Sequence, residues 1–444
     1  MSSLTIPGRA KLLLRNASRQ AMEDYFSGLR PEVKSRQWLT KTNRYRQNCT
    51  DIAEADAKAA DKIPSDFFTK SQDRHLRAYV GASAPTHLID GWSFLGRATE
   101  ATMRGDTYSA AHFAYYAELR AAMSLLASEG FGVFDTRHVV IEATQSRYFP
   151  RTIKWTQFST HQFIWVLLRY WSTLHRAGDL IDELIQPNQI HLSTWLASLN
   201  CPVRVNAIGQ TWLSSWGIDL AATRGDRNTR NLASYRPSEF RLPQASVAAD
   251  IAKFVADLWR MFEPGEDRRF QTVERHLLRQ AWISGGSPTI NQAEVERLGL
   301  PEKEAEHWIK FLGATQTSLP FQLAGATKPV EDPTSHLRII SRAALLLFLA
   351  SGSTRQLLRT AGFTREDLSF WWSRHGTDRG LWSHDTRPDD PLDTWEDINA
   401  VLTDLENWRG TNPNSTLFDL RGSCSGSIDI LSAFEHICIW SLLP

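Results

Sequence analysis

The chain has 444 residues, 42% hydrophobic and 22% charged, with 50 Lys and Arg against 49 Asp and Glu. This composition excludes a disordered charged tail or a collagen-like repeat, and at about 150 residues per domain it amounts to roughly three domains' worth of chain. The longest uninterrupted apolar run, Ala343 to Ala350, falls far short of the ~20 residues a membrane helix needs, and no basic-then-apolar leader opens the sequence. A cytoplasmic protein without membrane association is the expectation. Cys49, Cys201, Cys424 and Cys438 are scattered with no Cys-x-x-Cys pair, which points to free thiols rather than a disulfide framework or a zinc site.

Charge is unevenly placed. Residues 1–50 hold ten Lys or Arg against three acids, a balance of +7, and residues 385–406 hold eight acids against Arg387 alone, a balance of −7. Arg9, Lys11, Arg15 and Arg19 in the basic arm are candidates for nucleic-acid contact. A solvated surface is the alternative.

In chain order, His87 to Met103 reads as one helix, and Asp106 caps the next, which runs to about Ser128 and stops at Gly130. The β-branched run Val139-Val140-Ile141, within Gly132 to Lys154, reads as a short hairpin. Ser159 or Thr160 opens a third helix that ends before Gly178. Residues 221–243, with Gly225, Pro237 and Pro243, form a boundary loop. Amphipathic stretches follow at Ser246 to Phe262, Asp267 to Ile283, Gln292 to Leu312, Ser335 to Ala350, Thr354 to Thr360, Thr364 to Arg374, Thr394 to Trp408 and Ile428 to Leu443. The expected fold is mainly α: a helical core domain (86–243) with a short β-hairpin insertion, a basic N-terminal arm and leading helices (1–85), and a second helical, Trp-rich C-terminal lobe (244–444).

Two helices are apolar almost all round, the signature of a core position. In Thr107 to Ser128 the only acidic, basic or imidazole side chains are His112, Glu118 and Arg120, and the stripe Ala110, Ala114, Ala117, Ala121, Ser124, Ser128 is uniformly small, so another helix can approach closely. A buried Glu118 costs several kcal/mol unless paired or protonated. Glu118 and Arg120 are therefore either part of a polar site within the core or members of ion pairs with other helices. His161, in the first turn of the next helix, is held neutral by the helix N-terminus and suits a base, a ligand or a cap.

Two segments together resemble the HEPN superfamily, helical domains that in prokaryotes often serve as ribonucleases in toxin and antiviral systems. One is the Ala- and Tyr-rich helix His112-Phe113-Ala114-Tyr115-Tyr116-Ala117-Glu118-Leu119-Arg120-Ala121-Ala122. The other, Arg230-Asn231-Leu232-Ala233-Ser234-Tyr235, looks like the family's Arg-Asn-x-x-x-His element with tyrosine in place of histidine. The resemblance spans residues 87 to about 240 and implies metal-independent attack of an RNA 2′-hydroxyl, without a cofactor. Arg230 would stabilise phosphate charge, Asn231 would position it, and Tyr235, His161 or His112 would handle protons. Tyrosine, with a reference pKa near 10, is a poor base at neutral pH and a serviceable donor. The resemblance also implies a homodimer and a role in antiviral defence or a toxin-like response.

Arg224, Arg227, Arg236 and Arg241 make the loop around that element cationic and suited to phosphate. Among the 17 tryptophans, Trp371, Trp372 and Trp382 stand near Arg374, a combination common at protein interfaces and equally compatible with core packing. Asp393-Thr394-Trp395-Glu396 has capping-box spacing. No phosphate-cradling Gly-rich loop, Gly-x-Ser-x-Gly elbow or His-Glu-x-x-His pair occurs, and no metal site is expected. The leading expectation is a defence protein that engages RNA or a nucleic-acid-bound partner, with metal-independent ribonuclease activity as the enzymatic form of that reading. The alternative is a non-catalytic adaptor that binds other subunits of a defence complex.

Overall fold

The computed structural model describes residues 11, 14–33, 70–134, 137–144, 146–149, 160–216, 248–265, 270–286, 292–314, 318–325 and 335–444. Helices dominate. The first three are α1 (Arg19–Val33), α2 (Lys70–Met103) and α3 (Thr107–Ser128), followed by the strands β1 (Phe131–Phe134), β2 (Arg137–Ile141) and β3 (Ser146–Phe149). Next come α4 (Thr160–Trp171), α5 (His175–Leu184), α6 (Leu192–Ser198) and α7 (Val205–Ser215). The remainder comprises α8 (Ala248–Met261), α9 (Gln271–Ser284), α10 (Gln292–Glu296), α11 (Glu302–Gly313), α12 (Leu319–Ala324), α13 (Ser335–Thr360), α14 (Arg365–Arg379), α15 (Thr394–Thr411), α16 (Leu417–Ser423), α17 (Ser425–Leu431) and α18 (Glu435–Leu442).

The centre of the molecule is α3. Asp106 caps it by accepting from the Ser109 amide at 3.0 Å, and Gly130, at φ +85°, turns the chain out of it. Its small stripe lets α2 close in, so that the Ser124 hydroxyl donates to the Ala84 carbonyl at 2.7 Å. On another side α3 packs along α13. By length and composition α13 is apolar enough to cross a membrane, but 94% of its most apolar window is buried inside the protein, which makes it a core helix. Buried apolar residues from Leu14 to Leu443 form one continuous cluster, to which helices before and after residue 243 both contribute.

Several boundaries differ from the sequence expectation. The helix expected from His87 extends back to Lys70, with Pro85 inside it. An interior proline costs about 3 kcal/mol in an isolated helix. Here Val80, Ala82, Ala84 and Leu88 are buried around it, and that tertiary packing outweighs the local penalty. The hairpin has a third strand: Val139-Val140-Ile141 lies in the middle of an antiparallel meander, with Phe131 opposite Val140 and His138 opposite Phe149. The helix opened at Thr160 ends at Trp171, before Gly178 as expected, and Gly178 and Gly352 both lie inside helices. A Cβ at Gly178 would meet the Asn206 backbone at 2.4 Å and one at Gly352 would meet Leu184 at 2.8 Å, so each glycine marks a close contact of helices rather than an end. The stretch Ile428 to Leu443 breaks into α17 and α18. The expected cap at Asp393 makes no side-chain bond; Asp390 instead accepts from the Leu392 amide at 3.0 Å, while Thr364 provides a full capping box for α14.

Candidate functional site

Two stripes of α3 carry its polar groups. Tyr115 and Glu118, three residues apart, share the inner stripe, whereas His112, Tyr116 and Arg120 follow one another at four-residue spacing on a half-buried stripe. Helix α4 begins at Thr160 and carries His161 in its N-terminal turn, directly beside α3. The Tyr115 hydroxyl lies 3.0 Å from His161 Nδ1, with the two rings stacked at 5.8 Å. His161 also meets the Tyr116 ring edge-on at 6.1 Å, and His112 approaches Tyr116 at 5.1 Å from one helical turn earlier. Phe94 of α2 stacks on Tyr116 at 5.3 Å. Two candidate histidines distant in sequence thus converge on one tyrosine.

The next turn of the half-buried stripe is cationic. Arg120 Nη1 lies 2.8 Å from His87 Nδ1 and 3.7 Å from an Asp90 carboxylate oxygen. A guanidinium only donates, so His87 Nδ1 is the acceptor and the ring carries its proton on Nε2. For the Tyr115 and His161 contact either partner can donate. When Tyr115 donates, His161 presents an N–H at Nε2; when it accepts, Nε2 offers a lone pair.

Glu118 and Arg120, grouped by the sequence, are separated by the helix, since two residues correspond to about 200° of rotation. Glu118 turns inward and pairs with Arg342 of α13 at 3.0 Å, both side chains almost wholly buried. Arg342, His87 and Asp90 stand in no recognisable motif, because they belong to other helices and reach α3 only through packing.

Other candidates are placed as follows. Arg9, Arg224, Arg227, Arg230, Asn231, Tyr235, Arg236 and Arg241 lie outside the described residues. Lys11 and Arg15 are exposed, and the Lys11 carbonyl accepts from the Tyr170 hydroxyl at 2.7 Å. Arg19 is a correction, because it is not presented to a nucleic acid. Its guanidinium is taken up by Glu129 at 3.0 Å, the Ser353 hydroxyl at 2.8 Å, the Ser353 carbonyl at 3.0 Å and Gln356 at 2.9 Å. Glu129, only 1% exposed, also pairs with Arg176 at 3.3 Å and accepts from the Trp171 indole at 3.0 Å. Burial pulls the Arg176 guanidinium down from its usual pKa, and the charge of Glu129 opposes that shift. Of the two readings of the tryptophans, core packing holds and the interface reading does not: Trp371, Trp372 and Trp382 are buried, with the Trp382 ring pressed on the backbone of Gly376. Arg374 is exposed and pairs with Asp378 at 3.3 Å.

Burial also holds three histidines neutral, His276, His375 and His436, each pushed down to about 4. Neighbouring arginines reinforce the shift at His276 and His375. Among the described residues no three His, Cys, Asp or Glu side chains gather as metal ligands. No family model, no curated protein and no solved structure matches the chain.

Proposed function

We propose that the protein engages RNA and cleaves it by metal-independent attack of a ribose 2′-hydroxyl on the adjacent phosphodiester, in an antiviral or toxin-like role. The observation that carries this reading is the convergence of His112 and His161 on Tyr116. Such a reaction needs one group to take the 2′-hydroxyl proton and another to protonate the leaving 5′-oxygen, and a pair of imidazoles is chemically suited to both tasks. The contact with Tyr115 orients His161. The half-buried ring of Tyr116 offers a face on which a base can stack. Arg120 brings a guanidinium to the same stripe, and the cationic loop of Arg224, Arg227, Arg230, Arg236 and Arg241 adds phosphate-binding chemistry, with Asn231 and Tyr235 as positioning donors.

The test is incubation of purified protein with total RNA in excess chelator, beside His161→Ala, His112→Ala and Arg230→Ala variants. The wild type is expected to leave 2′,3′-cyclic phosphate ends, and each histidine variant to lose at least about a hundredfold in rate. Intact RNA with the wild type, or undiminished cleavage by both histidine variants, overturns the proposal.

A further inference from the structure

Helix α16 is anchored on both sides of one outward-facing ring. Thr416 and Asp419 form a capping box at its start, and the Ser415 carbonyl just before it accepts from the Ala248 amide at 3.2 Å. Leu420 is wholly buried, and Leu417 packs so near the turn between α2 and α3 that a Cβ at Gly105 would stand 3.1 Å from it. Phe418, between those two anchors, is turned outward. At 81% exposure it is the most exposed large apolar side chain among the described residues. Single apolar groups on a surface are ordinary, but this ring walls a pocket of about 360 Å³ lined also by Gly422, Ser425 and Ile428. A Cβ at Gly422 would meet nothing within 4 Å, and Ile430 extends the apolar surface along α17.

The charges around the pocket select its occupant. Arg104 is held by Glu100 at 2.8 Å and lies 3.9 Å from Asp429. Arg421 has no ion pair or hydrogen bond among the described residues, and the Asp429 side chain is 76% exposed. Asp419 adds a carboxylate beside Phe418, already accepting from Thr416. A partner bearing one sign of charge would set a like charge against either Arg421 or Asp429. A second copy turned through 180° offers an Asp429 to each Arg421, because a two-fold contact lays the same patch on itself. Shape agrees with charge, since projecting ring and open pocket lie side by side on one surface. A cavity of about 150 Å³ holds a benzene ring, so this pocket admits the phenyl group of a second copy beside its own, as an aromatic pair. We infer that the protein forms a two-fold homodimer through α16 and α17, with each Phe418 ring in the other copy's pocket and each Arg421 facing Asp429 of the other copy.

Sedimentation velocity of the purified full chain from about 1 to 200 μM, without RNA, tests this independently of any nuclease activity. A contact of this size predicts a dimer with a Kd on the order of 10 μM. Phe418→Ser should weaken association at least about thirtyfold, as for a central aromatic anchor. Arg421→Glu should weaken it about fivefold or more, and adding Asp429→Arg, which restores opposite charges across the two-fold, should recover most of that loss. All three positions are exposed, and thermal melts matching the wild type verify folding. A wild type that is monomeric throughout gives the patch to some other occupant and overturns the proposal. So does a Phe418→Ser variant that associates like the wild type, or a double charge swap that associates no better than Arg421→Glu alone.

Discussion

Glu118 and Arg342 meet at 3.0 Å across 224 positions of sequence, and the pair joins the two helices at the centre of the molecule. A carboxylate inside a helix apolar on nearly every side must have a partner or lose its charge. The partner stands on α13, whose neighbouring residues Ala343 to Ala350 are all buried and apolar. The ion pair fixes where along α13 the helix α3 comes to rest, because sliding by one turn would separate the charges inside the core.

Removing one member leaves the other buried without its counter-charge, so Glu118→Gln or Arg342→Met should each cost about 3–5 kcal/mol in urea denaturation. Replacing both with apolar residues, Glu118→Leu with Arg342→Met, should recover most of that loss. A double variant no more stable than either single one would show that the pair contributes more than mutual neutralisation.

Arg19 supports a second prediction. It links α1 to α3 through Glu129 and to α13 through Ser353 and Gln356. Arg19→Ala should therefore destabilise the protein by about 2–4 kcal/mol and leave the proposed RNA binding unaffected. Arg19→Lys should recover little, because an ammonium cannot reproduce the planar fork that reaches all these acceptors. Hydrogen exchange of α1 measures the stability effect locally. Protection of α1 unchanged in Arg19→Ala would contradict this role.

The helices were legible wherever a period of 3.6 met a clear stop, as at Asp106 and Gly130. The reading failed where tertiary contact overrode a local signal. The helix read from His87 begins at Lys70 with Pro85 inside it, and the stretches read as Ser335 to Ala350 and Thr354 to Thr360 are one helix, in which Gly352 is a contact point for Leu184. The short helices Leu192–Ser198 and Val205–Ser215 escaped because seven to eleven residues hold too few turns for a period to stand out. Of the candidate site, the stripe His112, Tyr116, Arg120 follows from helical geometry alone. The encounter with His161 does not, because it depends on how α4 enters after β3. Arg19 was misread because a surface cation and a buried clamp are the same letter in a sequence.

The third prediction concerns pH. His436 is buried, with Nδ1 3.2 Å from the Thr394 hydroxyl, and that hydroxyl donates its one proton to the Pro391 carbonyl at 2.7 Å. Thr394 therefore accepts, and His436 is a neutral ring protonated at Nδ1. Trp382 and Trp440 flank it at 6.1 and 5.8 Å and offer no carboxylate to balance an imidazolium. Burial pushes its pKa down to about 4 from the unfolded value of 6.5. Between those values the unfolded chain binds a proton that the folded protein refuses, so stability falls as pH drops through 6.5 toward 4. At about 1.4 kcal/mol per unit the full effect from this residue approaches about 3 kcal/mol. His436→Gln, which keeps a donor for Thr394 and cannot titrate, should be less stable than the wild type at pH 8 and should close that gap as the pH falls to 4.5. Urea titrations of both proteins across that range measure the gap. A gap that stays constant would mean that His436 keeps its ordinary pKa in the folded protein and that its burial is relieved by water.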